Sequence, residues 1–243
     1  MTETDLRPIG VVRSPVADRS AMPPLGVAAA VEVFEEFAPG LLHFDKHSHI
    51  WVLAWLDGAG RDVLQVTPRG VRGHGPDELH GVFGLRAPTR PNPIGLSAAR
   101  VVSRRGLRIE LDLLDFVDGS PVVDIKPYFA TRDLIFSARN QQIGRPADIA
   151  ALKDALRLQA VAFHGESCED LERAVNILAD FRAEALGFVD PAHLEATVPL
   201  ARPHVADAVM GMTRCSPGRG TLRFWQEPAV ELAASGVMRR YKL

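Results

Sequence analysis

The densest group of residues that could bind a ligand is Arg86–Leu96, with the sequence RAPTRPNPIGL. Its prolines, Pro88, Pro91 and Pro93, fix φ and remove backbone donors, which excludes a helix interior or a central strand. We therefore predict a stiff loop that presents backbone carbonyls, the Asn92 amide and two guanidinium groups in fixed positions. Such a loop suits a polar ligand with an adenine and a carboxylate. The alternative is a rigid structural loop that binds nothing.

A second segment, Leu114–Tyr128, joins a turn at Asp118–Pro121 to an extended run with ionisable side chains. The two-residue period of a strand predicts that Asp124, Lys126 and Tyr128 lie on one face. An acid, an amine and a phenol on one face could hold or deprotonate a substrate amine. Asp124 and Lys126 could equally form a solvated ion pair worth only ~0.2–1 kcal/mol.

The first half of the chain has the pattern of short strands. Residues 9–13, 31–34 and 50–56 are typical strand runs, and the last is apolar enough to predict burial on both faces. Leu107–Leu113 alternates apolar with charged residues, which predicts one buried face and a hairpin with Val101–Val102. Strands separated by glycine and proline turns, without helical periodicity between them, predict an antiparallel sheet or barrel.

The second half changes to helical periodicity. Apolar spacing predicts one helix from Ile149 and a stronger one along Leu171–Phe181. Ser167 is predicted to open the stronger helix in a sequence like a capping box. Asp190–Pro191 resembles another helix start, and residues 203–210 a further short helix.

A polar, turn-rich segment, Ser137–Pro146, separates the two halves. We therefore predict an α+β protein with a mostly antiparallel β-barrel domain over residues 1–140. A smaller helix-rich α+β domain is predicted over residues 147–243.

Composition narrows the class of protein. Two cysteines cannot form a disulfide framework and fit a reducing compartment. No run reaches the ~18 apolar residues of a membrane span, and the start lacks a secretory signal pattern. We therefore expect a cytoplasmic protein without membrane contact.

The net charge of −2 argues against bulk affinity for nucleic acid, but the charge is unevenly distributed. Between residues 61 and 105 only Asp62, Asp77 and Glu78 oppose eight arginines: Arg61, Arg69, Arg72, Arg86, Arg90, Arg100, Arg104 and Arg105. A local basic face could meet phosphates, whereas solvated loop arginines are the alternative.

Four segments, in order and spacing, resemble the TrmO/TsaA family of S-adenosylmethionine-dependent tRNA methyltransferases. They are Ile9–Pro15 (IGVVRSP), Ser48–Trp51 (SHIW), Gly81–Leu96 (GVFGLRAPTRPNPIGL) and Leu114–Tyr128 (LDFVDGSPVVDIKPY). The resemblance covers roughly residues 7–130, and its RPNPIG and DGSPVVDIKPY strings are long and unusual.

The resemblance implies a single-sheeted β-barrel that binds S-adenosylmethionine beside the barrel, generally as a homodimer. The absence of a GxGxxG motif agrees with a fold other than Rossmann. Members of the family methylate N6 of threonylcarbamoyladenosine at position 37 of certain tRNAs, so the resemblance implies tRNA as the partner.

Carried over by position, the resemblance implies these cofactor-binding residues: Asp57, Arg86, Arg90, Pro91, Asn92, Pro93, Ile94, Leu96, Leu113, Leu114 and Asp115. Asp124, Lys126 and Tyr128 would lie near the site of methyl transfer. The sulfonium is already a good leaving group, so the protein must align the nitrogen, exclude water and accept one proton. Asp124 or a phosphate-bound water could accept it.

The sequence departs from the family in two places. Where bacterial relatives carry Pro-Arg-Gln-Pro-Gly, this chain has Met22–Gly26 (MPPLG), without the arginine and the glutamine. Residues 160–243 differ from the usual TrmO tail and faintly resemble the FmdE-like family at Phe163–Cys168 and Thr213–Leu222. By that resemblance His164, Cys168 and Cys215 could bind zinc with a water as fourth ligand. The alternative is that each cysteine is a small buried apolar residue.

Three functions remain open at this point. The first is a tRNA N-methyltransferase, favoured by the arginines of residues 61–105. The second is a methyltransferase of a small metabolite, favoured by the missing arginine–glutamine pair. The third is a cofactor-binding module without catalysis, which tRNA binding without turnover would favour.

Overall fold

The computed structural model describes residues 5–71, 78–138 and 140–243. Arg72 and Asp77, counted above in the arginine-rich segment, lie outside the described residues. The chain divides into two compact units, residues 1–67 with 74–134 and residues 68–73 with 135–243. Among the helices of the described ranges, none has the length and apolar character needed to cross a membrane.

The first unit is built from strands. They are β1 (Gly10–Arg13), β2 (Val27–Val33), β3 (His49–Trp55), β4 (Gln65–Val66), β5 (His80–Gly81), β6 (Ile94–Arg105), β7 (Arg108–Leu114) and β8 (Pro121–Pro127). Helix α1 covers Ala130–Asp133, and 3₁₀ turns cover Arg19–Ala21, Glu35–Leu41, Phe44–Lys46 and Val82–Gly84. Within the described residues, six strands close into an antiparallel barrel in the order β1-β2-β7-β6-β3-β8. The predicted fold class, with its N-terminal antiparallel barrel, is confirmed.

The barrel interior is apolar because alternate residues of its strands point inward. The predicted hairpin is present: β6 and β7 pair directly, and Gly106 turns the chain between them at φ 61°. Burial of each such valine, leucine or isoleucine side chain stabilises the fold by about 1.5–3 kcal/mol. Fully buried members are Val12, Val31, Ile50, Val52, Ile109, Leu114 and Val122.

Strand β3 corrects one prediction. Its inward residues Ile50, Val52 and Ala54 are fully buried. The alternate residues Trp51, Leu53 and Trp55 are only partly buried, so burial of this strand on both faces was wrong. The run is continuously apolar because its second face carries tryptophan and leucine, although that face lies on the outside of the barrel.

The second unit combines helices with a sheet. The helices are α2 (Ile149–His164), α3 (Glu169–Asp180) and α4 (Pro203–Thr213), and the strands are β9 (Glu195–Pro199), β10 (Leu222–Trp225), β11 (Ala229–Ala234) and β12 (Val237–Lys242). The sheet order is β10-β9-β11-β12, with β10 parallel to β9 and the other pairs antiparallel. A core of its own, including Leu156, Leu171 and Phe181, is fully buried between helices and sheet.

Two predicted helix starts are wrong in detail. The N-cap of α3 is Cys168 rather than Ser167, and the Cys168 thiol accepts a hydrogen bond from the Leu171 amide at 3.4 Å. Asp190–Pro191 begins no helix. The Asp190 carboxylate instead lies 3.5 Å from the buried Arg182 guanidinium, and its amide donates to Gln142.

Candidate functional site

Three neighbouring strands, β6, β3 and β8, carry some of the predicted site residues (Ile94, Leu96, Asp124 and Lys126) on one outer face of the barrel. Residues that pair directly across antiparallel strands point to the same side of the sheet. On β3, Trp55 pairs with Ile94 of β6, and Leu53 pairs with Leu96. On the other side of β3, Leu53 pairs with Asp124 of β8, so an apolar strip borders a carboxylate. We call this surface the β3 outer face.

One end of the β3 outer face is aromatic. Trp51 pairs with Lys126, and the Trp51 and Tyr128 rings lie 5.5 Å apart between centroids. The Tyr128 amide donates to the His49 carbonyl at 3.0 Å, which continues the pairing of β8 with β3 beyond Lys126. The structure therefore places Asp124, Lys126 and Tyr128 along one strand face, next to the indole of Trp51.

Both oxygens of the Asp124 carboxylate already have partners within the protein. Oδ1 accepts the Ile125 amide at 2.9 Å, and Oδ2 pairs with the Lys126 ammonium. The side chains are 39% and 61% exposed, so the pair is worth at most about 1 kcal/mol. A substrate N–H group could displace Lys126 from Oδ2 at small cost.

Arg90 supports the proline-rich loop from within. Its guanidinium donates to the carbonyls of Val82 (2.7 Å), Ala87 (2.9 Å) and Leu85. These bonds direct Arg90 at the loop backbone, so we assign it a positioning role. Arg86, by contrast, is exposed.

The carbonyls of the loop are used inside the protein. Those of Pro91, Asn92 and Pro93 accept from Arg61 Nε at 2.9 Å, Ile94 N at 2.7 Å and Leu56 N at 2.8 Å. Such carbonyls were expected to face a ligand, whereas here they bond within the protein, and the bond from Leu56 attaches the loop to the residue after β3. Asn92 itself is exposed.

Arg61 connects the loop to the β3 outer face. Its guanidinium lies 5.6 Å from the centre of the Trp55 ring while its Nε bonds to Pro91. A cation over an indole is attracted by the ring quadrupole. The site residues predicted from the sequence do not include Trp51, Leu53, Trp55 and Arg61. The two-residue period of a strand places alternate residues of HIWVLAW on one face, and this period could have found the first three.

Two glycines allow the chain to pack closely around the remaining predicted segment, Leu113–Asp115. A Cβ on Gly26 would lie 2.6 Å from the Leu114 carbonyl and 2.9 Å from the Asp115 amide, so the chains touch here. A Cβ on Gly95 would lie 2.4 Å from Cε1 of the buried Phe116 ring. Leu113–Asp115 is therefore fixed by its neighbours, with Leu114 fully buried and Asp115 exposed. Asp57, also exposed, lies in the turn that follows β3 and Leu56.

A groove of about 670 Å³ lies elsewhere on the barrel, lined by residues of β1, β6 and β7, including Arg13, Arg100 and Val102. None of the predicted cofactor residues lines this groove. Its arginines are engaged, Arg13 with Glu32 at 2.6 Å and Arg100 with Asp112 at 3.4 Å. We therefore place the candidate site on the β3 outer face rather than in this groove.

The arginine-rich segment is less basic than its sequence indicates. Arg104 forms a two-pronged ion pair with Asp45, whose pKa this hydrogen bonding lowers. Arg100 pairs with Asp112, and Arg90 serves the loop. Arg86 and Arg105 are exposed and form no ion pair with another described residue.

In the second unit, the structure brings together two of the three predicted metal ligands. His164 and Cys168 form a group with His204 in which the potential ligand atoms lie within 4.8 Å of one another. Cys215 does not belong to this group. It is buried, its thiol donates to the Leu194 carbonyl at 3.1 Å, and burial raises its pKa.

Comparison with known proteins finds a matching family model and several relatives. The family model described as "tRNA-methyltransferase O N-terminal domain" matches residues 11–134. A "Probable S-adenosyl-L-methionine-binding protein" of Archaeoglobus fulgidus is 35% identical over 91% of this chain and 61% of its own length. Thus the chain spans less than two thirds of that relative.

Two further relatives match a little over half of this chain. An "S-adenosyl-L-methionine-binding protein" of Archaeoglobus fulgidus is 40% identical over 56% of this chain and 98% of its own. The "tRNA (adenine(37)-N6)-methyltransferase" of Escherichia coli is 34% identical over 53% of this chain and 59% of its own. A solved structure titled "Crystal structure of TrmO" shares 31% identity, covering 60% of this chain and 66% of its own, with a TM-score of 0.49.

Proposed function

The chain belongs to the tRNA-methyltransferase O family through its residues 11–134, and on that premise we propose that it is an S-adenosylmethionine-dependent N-methyltransferase. The proposed substrate is N6 of threonylcarbamoyladenosine at position 37 of tRNA. The Escherichia coli relative, named as a tRNA (adenine(37)-N6)-methyltransferase, supports this choice. The Archaeoglobus fulgidus relatives, named as S-adenosyl-L-methionine-binding proteins, support the cofactor.

The observation that carries the proposal is the β3 outer face. Apolar and aromatic residues from β6 and β3 (Ile94, Leu96, Trp51, Leu53 and Trp55) form a surface on which an adenine or an aliphatic chain can pack. The Asp124–Lys126 pair lies at the edge of this surface, where Asp124 pairs with Leu53 and Lys126 pairs with Trp51. Asn92, Arg86 and the Asp115 backbone offer polar groups at the adjoining loops.

Each part of the face has a distinct task in the proposed reaction. The bound cofactor supplies the activated methyl group. The apolar strip holds it and keeps water from the reacting atoms, while Arg90 and Arg61 keep the loop in place. Asp124 Oδ2 exchanges Lys126 for the substrate amine and accepts its proton, and Tyr128 orients the substrate beside Trp51.

We predict that Asp124→Asn lowers kcat for methyl transfer on the order of 100-fold or more and leaves cofactor affinity nearly unchanged. The amide keeps the shape and the bond from Ile125 but accepts a proton poorly. Lys126→Met is the matched control, since it breaks the same ion pair and leaves the carboxylate. Single-turnover kinetics with labelled cofactor compares the rate of methyl transfer in the two variants. Full turnover by Asp124→Asn would eliminate Asp124 as the base.

The substrate is tested by methyl transfer from labelled S-adenosylmethionine to total tRNA, with and without the threonylcarbamoyl group. We expect label only in the modified tRNA. Label in neither tRNA, with the cofactor still bound, would overturn the tRNA assignment while leaving the cofactor site intact.

A second candidate is methyl transfer to a small metabolite. It is favoured by the engaged arginines Arg90, Arg100 and Arg104, which offer less free positive charge to a phosphate backbone. The Met22–Gly26 stretch, without arginine or glutamine, points the same way. A weak dependence of substrate affinity on salt would favour this candidate over tRNA.

We also propose that the protein is a homodimer, as the family resemblance implies. In the first unit, Phe83 and Leu64 are 80% and 57% exposed, and the Val82 amide bonds to the Leu64 carbonyl, which joins the two segments. Exposed apolar side chains on two joined segments could pack against a second subunit. We predict that Phe83→Ser weakens self-association at least about tenfold in light scattering, whereas Leu42→Ser, at an equally exposed residue (76%), does not.

A further inference from the structure

Three possible metal ligands converge in the second unit from three helix ends. His164 is the last residue of α2, Cys168 is the N-cap of α3, and His204 lies in the first turn of α4. Cys168 Sγ lies 3.5 Å from His204 Nδ1 and 3.9 Å from His164 Nε2. Each ligand atom is thus within reach of a common point.

The two distances from Cys168 Sγ are close to those of a tetrahedral metal site, and the two histidine nitrogens lie within 4.8 Å of each other. Bond lengths of about 2.3 Å to sulfur and 2.0–2.1 Å to imidazole nitrogen give tetrahedral edges of about 3.3–3.6 Å. The two measured edges, 3.5 and 3.9 Å, need shifts of only a few tenths of an ångström. A thiolate with two imidazoles is a ligand set that suits zinc.

Asp207 prepares His164 for this role. Its carboxylate lies 3.0 Å from His164 Nδ1, so that nitrogen carries the proton and Nε2 presents its lone pair towards Cys168. A carboxylate behind a metal-binding histidine is the usual outer partner of a zinc ligand. The His164 side chain is only 9% exposed, which fixes the ring.

Two further contacts fix the other ligands. Cys168 Sγ lies at the N-terminus of α3 and accepts a hydrogen bond from the Leu171 amide at 3.4 Å, which fixes the position of the sulfur. Arg202 Nη1 bonds Asp170 at 2.6 Å. This ion pair joins the residue two before His204 to the residue two after Cys168, so the starts of α3 and α4 are held together without any metal.

We propose that His164, Cys168 and His204 bind one zinc ion, with the fourth position open to solvent on the side of the exposed His204. Three protein ligands and one exchangeable position distinguish such a site from a closed structural one. His204 replaces Cys215 of the sequence prediction, since the buried Cys215 thiol already donates to Leu194. The proposal does not depend on methyl transfer.

The test uses the full chain, stripped with chelator and titrated with Co²⁺ as a spectroscopic substitute for zinc. We expect one cobalt per chain, tetrahedral visible bands and a near-ultraviolet thiolate-to-cobalt band. Zinc should displace the cobalt. Absence of the thiolate band at saturating cobalt would overturn the proposal and leave the contacts as S–H···N hydrogen bonds.

Variants assign the ligands. Cys168→Ser should remove the thiolate band while serine, a good N-cap, keeps α3 folded. Asp207→Asn should keep the band and weaken binding about 10–100-fold. His204→Ala should weaken it further, whereas His193→Ala, at an exposed histidine of the same unit, should not. Loss of the band in Cys215→Ser rather than Cys168→Ser would contradict the assignment; far-ultraviolet circular dichroism confirms that each variant is folded.

Discussion

Replacing Gly26 with alanine is expected to destabilise the barrel by about 3 kcal/mol or more. The residue has φ 80°, which costs a residue with a Cβ roughly 1–2 kcal/mol. The new Cβ would also lie 2.6 Å from the carbonyl carbon and oxygen of Leu114. Those atoms are backbone, at the point where β2 pairs with β7, so relief requires movement of a strand and adds about 1–3 kcal/mol.

Gly119→Ala is the matched control. Gly119 has φ 79° in the same unit, but nothing lies within 4 Å of its added Cβ, so only the conformational strain should appear. Urea unfolding in a Trp225→Phe background reports on the barrel, because the two remaining tryptophans, Trp51 and Trp55, are both on β3. Equal losses at Gly26 and Gly119 would contradict the close approach.

The same pair of variants tests the role of Leu113–Asp115. If this backbone holds the cofactor, Gly26→Ala should weaken S-adenosylmethionine binding under conditions where both variants are folded, and Gly119→Ala should not. Calorimetry at low temperature gives the comparison. Normal binding to a destabilised Gly26→Ala barrel would remove Leu113–Asp115 from the proposed site.

The sequence alone was sufficient to predict the elements that depend on patterns of neighbouring residues. The alternation of Leu107–Leu113 predicted β7, and the prolines at 88, 91 and 93 predicted a stiff loop. Helical spacing along Leu171–Phe181 predicted α3, although the cap is decided by which side chain reaches the Leu171 amide, and that is Cys168.

What could not be predicted depends on strand register and on contacts distant in sequence. Leu53 meets Leu96 and Asp124 only because β6 and β8 flank β3 in that register. Arg90 could have faced a ligand or the loop, and its bonds to Val82 and Ala87 appear only in three dimensions. His204 is distant from Cys168 in sequence and joins it because α4 packs beside α2 and α3.

Leu53→Lys is expected to lower S-adenosylmethionine affinity at least about 100-fold, a loss of about 2.7 kcal/mol. Leu53 is the centre of the β3 outer face, between Leu96 and Asp124. A lysine there replaces apolar contact area with an ammonium and repels the cationic sulfonium. S-adenosylhomocysteine, which is a neutral thioether at that atom, should lose less affinity, which separates charge repulsion from lost packing.

Two controls locate the site. Leu53→Met keeps an apolar side chain of similar volume and should bind nearly normally. Val102→Lys makes the same apolar-to-lysine change in the groove of Arg13 and Arg100, where Val102 is 56% exposed. Isothermal titration calorimetry measures the S-adenosylmethionine affinity of all three variants and shows which surface binds the cofactor. Loss of binding in Val102→Lys with normal binding in Leu53→Lys would place the cofactor in the groove, because an exposed lysine affects binding only at the surface that carries it.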